Sequence, residues 1–138
     1  MSSKTTPTVP VLDGSALKGK RGLQRILNSL RYSIDGLRGA WTHEDSFRQE
    51  ILLAVVMIPV ALLLHFTLVE KILLVAMVFL VLIVELLNSA LETAVDRDSL
   101  EINSLGKRAK DIGSAAVMMS LVLAGGTWAA ILAHHYLS

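Results

Sequence analysis

The chain has 138 residues, of which 53% are hydrophobic, 5% aromatic and 18% charged. That length suits one domain, and thirteen basic against twelve acidic residues leave a net charge of +1, too balanced for a nucleic-acid binder. The absence of cysteine excludes disulfide scaffolds, zinc clusters and thiol catalysis, and a mean hydropathy of +0.57 excludes disorder.

Residues 1–19 (MSSKTTPTVPVLDGSALKG) are rich in Ser, Thr, Pro and Gly and lack the hydrophobic centre of a secretory signal. They are expected to form a flexible tail. Residues 14–20 read G-x-x-x-x-G-K, the opening of a phosphate-binding loop. Arg21 stands where that loop needs Ser or Thr, and no strand precedes it, so the match is discarded. From residue 20 to about 45, Leu23, Ile26, Leu27, Leu30, Ile34, Leu37 and Trp41 recur every three or four positions among many arginines. This spacing predicts an amphipathic helix suited to a membrane surface.

Three apolar runs follow, at residues 51–66, 72–84 and 112–133. Crossing a hydrocarbon layer of ~30 Å takes roughly 20 helical residues. With their flanks the runs predict spans at about 47–68, 69–92 and 112–133. Eight basic residues precede or include Arg48, and Arg97, Lys107, Arg108 and Lys110 lie between the second and third spans. The short connection between the first two spans holds Lys71 alone. This asymmetry predicts a cytoplasmic N-terminus and second loop. Trp128 and Tyr136 are then expected in the outer aromatic belt, with His134 and His135 at the same interface.

Polar residues inside the apolar runs carry the chemistry. In VELLNSALETAVDR (84–97), Glu85, Asn88, Glu92 and Asp96 fall on a helix stripe about 80° wide. Glu85 follows an apolar run directly, at a depth where ionisable groups are costly and point to function. The stripe admits three readings: a Mg²⁺ site of oxygen donors, a general base of raised pKa, or a polar seam between helices. Nearby, Glu44 and Arg48 are spaced for an i,i+4 pair. Lys110 is placed to reach phosphate or to snorkel, and Asp111 to begin the third span's helix. Small residues at Ala116, Ser120 and Ala124, and at Ala90 and Ala94, mark close-packing faces. Three short spans cannot enclose a polar site alone, so a homo-oligomer with shared sites is expected.

Four segments carry a family resemblance: GLRGAW-x-x-E (36–44), FRQE (47–50), VELLNSALETAVDR (84–97) and GKRAKDIGSAAV (106–117). Over about residues 25–128 the chain resembles the prokaryotic diacylglycerol kinases, small integral membrane lipid kinases. The resemblance implies an all-α membrane fold, with an N-terminal surface helix and three transmembrane helices assembled as a homotrimer. It implies phosphoryl transfer from MgATP to the hydroxyl of diacylglycerol, yielding phosphatidic acid at the inner membrane of a bacterium.

Carried over by position, Glu85 resembles the general base, Asn88 a residue positioning the reacting groups, and Glu44 and Glu92 the Mg²⁺-binding carboxylates. ATP-contacting positions correspond to Arg25, Tyr32, Glu44, Glu92, Glu101, Ile102, Asn103, Lys110 and Asp111. Lipid-contacting positions correspond to Arg25, Arg38, Trp41, Ser46, Phe47, Arg48, Gln49, Glu50, Glu85, Ser114 and Trp128. Competing functions are an undecaprenol kinase of the same family, a small proton- or cation-coupled transporter using Glu85, and a structural membrane subunit.

Overall fold

The computed structural model describes residues 22–98 and 104–138, all helical apart from short connections. The expected tail, the discarded loop match and Glu101, Ile102 and Asn103 lie outside the described residues. Four helices follow in order: α1 (Leu23–His43), α2 (Asp45–Leu63), α3 (Leu68–Asp98) and α4 (Ser104–Leu137). The chain divides into two units, one ending at Leu37 and one running from Arg38 to Ser138.

In the first unit, α1 keeps its apolar residues exposed, among them Leu23, Ile26, Leu27 and Leu30. An apolar stripe left open on a helix rich in arginine is the pattern of a helix lying at a lipid surface.

In the second unit, α3 is the central element, packed against α2 and against α4. Helices α2, α3 and α4 are each long and apolar enough to cross a membrane. Their outward surfaces carry Leu52, Leu53, Val55, Phe79, Ile83, Met119 and Val122, all exposed. So much exposed apolar surface would be untenable in water and is ordinary against lipid. Helices α3 and α4 also extend beyond the expected spans, to Asp98 and back to Ser104. These added turns carry the polar ends of both helices.

The core is built from small residues that permit close approach and from large ones that fill the gaps. Ala54, Ala61, Phe47, Leu74, Val78, Leu82 and Trp128 form one buried cluster. Trp128 is 7% exposed, and its Nε1 donates to the carbonyl of Leu74 at 3.1 Å. It therefore does not sit in an outer aromatic belt, because its ring packs inward and its one donor is satisfied across the α3–α4 contact. Tyr136 is exposed, while His135 lies against the buried Phe66, with ring centroids 5.1 Å apart. Ser120 and Ala124 are likewise buried within the chain, so that part of the small-residue stripe serves internal packing. Ala90, Ala94 and Ala116 remain exposed.

The α2–α3 connection is short, and part of its backbone is capped by its own side chains. Thr67 and Glu70 form a reciprocal capping box at the start of α3: Thr67 N–H donates to Glu70 Oε2 (2.8 Å), and Glu70 N–H to Thr67 Oγ1 (3.2 Å). Lys71 Nζ reaches back to the carbonyl of Leu62 at 2.8 Å, near the end of α2. Pro59 lies within α2 without ending it, as is tolerated in helices surrounded by lipid and neighbouring helices.

Candidate active site

A single residue, Glu44, separates α1 from α2. It occupies the N-cap of α2 in an extended conformation (φ −115°, ψ 108°), and its side chain makes no capping hydrogen bond. The break changes the local pairing expected from spacing. Arg48 forms its ion pair with Asp45 and not with Glu44. Its Nη1 also donates to the carbonyls of Trp41 (2.7 Å) and Thr42 (3.1 Å) at the end of α1. The reason is geometric: the Glu44 carbonyl still accepts the Arg48 N–H at 3.2 Å, but the extended φ/ψ of an N-cap residue takes its side chain off the helical face on which i,i+4 side chains meet. The Glu44 carboxylate is left without an ion pair among the described residues.

Along α3 the ionisable stripe is graded in burial. Glu85 is 5% exposed, Asn88 and Glu92 are half-buried, and Asp96 is exposed. Glu85 continues the buried row of Leu74, Val78, Val81 and Leu82, with Ser89 one turn beyond it. It lies within electrostatic reach of Glu44 at the α1–α2 break, of Glu50 on α2 and of Glu92 on its own helix. Asn88 instead faces α4, where its amide oxygen lies against Gly113. Its Nδ2 donates to Glu92 Oε1 at 3.4 Å, a long bond.

Two ion pairs order the polar ends of α3 and α4. Lys110 Nζ contacts Asp96 Oδ1 at 2.6 Å across the two helices and lies within electrostatic reach of Glu92. Lys107 and Asp111 pair at 2.6 Å along α4. Because α4 begins at Ser104, Asp111 stands about two turns inside the helix and does not start it.

On the other side of Glu85 lies an apolar cavity of about 170 Å³ between α2, α3 and α4. Its walls are Leu53, Ala54, Met57, Val78, Val81, Leu82, Leu121, Ala124 and Gly125, with Glu50 and Trp128 also lining it. Glu50 Oε2 is buried without a hydrogen-bond partner, a costly state for a carboxylate oxygen. Sequence spacing did not single out the aliphatic wall. Its signal was the pairing of Ala54 with Ala124 and Gly125, positions where missing side chains leave room.

The remaining candidates are dispersed. In the first unit, Arg25 and Tyr32 are exposed on α1. In the second, Arg38, Trp41, Ser46, Gln49 and Ser114 are exposed, and Phe47 belongs to the buried cluster. Ser114 does not line the cavity.

The donor set suits a hard cation, since it offers carboxylate oxygens at Glu44 and Glu92, both within electrostatic reach of Glu85. Among the described residues, no three acidic or histidine side chains converge on one point. A Mg²⁺ ion here would therefore complete its shell with substrate phosphates and water, its usual habit at nucleotide sites.

Three apolar helices with buried carboxylates between an apolar cavity and a polar end have the layout of an integral membrane enzyme. The chain belongs to the prokaryotic diacylglycerol kinase family, whose profile matches residues 31–132. It is 52% identical over 118 residues to the diacylglycerol kinase of Pseudomonas aeruginosa, covering 86% of this chain and 96% of that protein. It is 46% identical over 111 residues to the enzyme of that name from Haemophilus influenzae, covering 80% and 94%. Against the diacylglycerol kinase of Escherichia coli it is 43% identical over 115 residues, covering 83% and 94%. The expected lipid-kinase family stands, and the transporter and structural-subunit alternatives are not favoured.

Proposed function

We propose that this protein transfers the γ-phosphoryl group of MgATP to the free hydroxyl of diacylglycerol, giving ADP and phosphatidic acid. The observation that carries the reading is the axial order along α3. The apolar cavity lies at Val78–Leu82, the buried Glu85 comes next, and Asn88, Glu92 and the Asp96–Lys110 pair follow. Glu85 to Glu92 spans roughly 10 Å at 1.5 Å per residue. A lipid entering from the cavity side and a nucleotide entering from the polar end meet at Glu85.

In this mechanism Glu85 takes the proton of the lipid hydroxyl as its oxygen attacks the γ-phosphorus. The bond to the β-phosphate oxygen breaks, and ADP leaves from the polar end. Asn88 holds the reacting groups in line, and Lys110 offers positive charge toward the phosphates. By the family resemblance Arg25, Tyr32, Glu101, Ile102, Asn103 and Asp111 are further candidates for nucleotide contact. Glu44 and Glu92 are the residues that would hold Mg²⁺, which when bound neutralises phosphate charge. Glu50 and Trp128 line the lipid's place, with Arg38, Trp41, Ser46, Phe47, Arg48, Gln49 and Ser114 around its approach.

Basic residues concentrated before α2 and between α3 and α4 support a cytoplasmic site at a bacterial inner membrane. The exposed Ala90, Ala94 and Ala116 support close packing between subunits. We assign the assembly as a homotrimer with sites shared between subunits.

The reading is tested with purified protein in mixed micelles, given labelled MgATP with diacylglycerol or with undecaprenol. Label in phosphatidic acid is the expected result. Preference for undecaprenol would overturn the substrate, and transfer to neither lipid would overturn the kinase reading. The lipid's place has its own test in Gly125→Phe, which fills the cavity from α4 at a position where an added Cβ meets nothing within 4 Å. This variant is expected to raise the KM for diacylglycerol about tenfold, equivalent to about 1.4 kcal/mol of lost binding. Its KM for ATP should stay unchanged, and equal shifts in both constants would remove the cavity from the lipid path.

A further inference from the structure

Six of the described glycines fall into two kinds. At Gly22, Gly36, Gly39, Gly125 and Gly126 an added methyl group would meet nothing within 4 Å. At Gly113 it would overlap Asn88 Oδ1 and approach Leu91 Cδ2 to 3.1 Å.

The atom it would strike is itself unusual. Asn88 Oδ1 is buried with no hydrogen-bond partner, although buried amide oxygens ordinarily have at least one donor. No donor holds this oxygen, so its place is set by the room at Gly113 and by the long hydrogen bond from the other end of the same amide. The two ends of an amide are rigidly joined, and wherever Oδ1 lies, Nδ2 points the opposite way. Here Nδ2 points to Glu92.

We propose that Gly113 is a positioning residue for phosphoryl transfer: its missing side chain forms the slot on α4 that seats Asn88 Oδ1 and thereby aims the amide at Glu92. The inference rests on the roles proposed above for Asn88 and Glu92. It also explains why the slot is glycine. Alanine would leave the fold possible, because the Leu91 side-chain end can shift and the Asn88 side chain can rotate. The loss would fall on the orientation of the amide.

The test is a double-mutant cycle of Gly113→Ala and Asn88→Ala, read in kcat, in KM for both substrates and in the thermal unfolding midpoint. Gly113→Ala is expected to lower kcat about 10- to 100-fold, the scale of a misplacement near 1 Å. Both KM values should change less than about threefold, since the amide is placed at the reacting groups and not at the binding contacts. In the Asn88→Ala background, where Oδ1 is gone, Gly113→Ala should add no further loss in kcat or midpoint.

Wild-type kcat in Gly113→Ala, or losses that simply multiply, would overturn the proposal. If Gly113→Ala fails to fold, the double variant decides. Stability restored to that of Asn88→Ala supports the slot, and failure of both variants overturns it. The same stability cycle decides if Asn88→Ala has no measurable turnover. Failure of the kinase reading shows separately, as wild-type protein that labels neither lipid.

Discussion

Replacing Glu85 by glutamine is expected to lower the rate of lipid phosphorylation about 10²- to 10⁴-fold, the range attributable to a positioned general base. The substitution keeps the size and shape of the side chain while removing its ability to take a proton. Glu85 is 5% exposed and lies within reach of three other carboxylates, Glu44, Glu50 and Glu92. Neutralising it relieves like-charge crowding, so the variant should fold at least as stably as the parent. Nucleotide binding should persist, because the proposed nucleotide and metal residues on α3 and α4, Glu92, Lys110 and Asp111, are left intact. Initial rates in mixed micelles, nucleotide binding and thermal unfolding together distinguish a lost base from a lost fold. A Glu85→Gln protein that retains most of its activity would refute the base assignment.

The second large effect is expected at Glu92. Glutamine there can still accept the hydrogen bond from Asn88 Nδ2, so the substitution isolates the charge. A lost charge-assisted contact is worth about 1.5–3 kcal/mol, on the order of a 10- to 100-fold rise in the Mg²⁺ concentration needed for half-maximal rate. The diacylglycerol KM should not follow, because the cavity walls lie about three to four turns away along α3. Titrating Mg²⁺ at fixed ATP, with free and nucleotide-bound metal calculated, checks the expectation. An unchanged Mg²⁺ dependence would remove Glu92 from the metal's surroundings.

Much of this architecture was legible before any coordinates. Apolar runs of span length show themselves by composition, and the E-x-x-N-S-x-x-E pattern stands out because carboxylates do not enter such runs without cause. The burial of Glu85 was legible too, since it abuts an unbroken apolar stretch and the helix carries it on the buried row. What spacing did not reveal was the partner each residue meets. Trp128 near the end of a span reads as an interfacial aromatic until α3 is known to offer the Leu74 carbonyl beside it. Arg48 reads as the partner of Glu44 until the helix is seen to break at that residue. Gly113 is unremarkable in an apolar helix and acquires its meaning from Asn88 on another one. In each case the periodicity identified the face, and the approach of a second helix decided what the face contacts.

The capped α2–α3 turn bears on how the protein enters the bilayer. With Lys71 on the Leu62 carbonyl and Thr67 closed on Glu70, the tip of this hairpin satisfies part of its own backbone from residues within ten positions of one another. A tip wired this way has fewer bare polar groups to strip of water as it passes through hydrocarbon. These caps also draw on no residue of α4, which is synthesised afterwards. Helices α2 and α3 can thus translocate as one hairpin, leaving α4 to dock through the Trp128–Leu74 hydrogen bond and to bring Gly113 against Asn88. Biogenesis and site assembly then follow one order, with the catalytic helix threaded first and the helix that seats its amide added last.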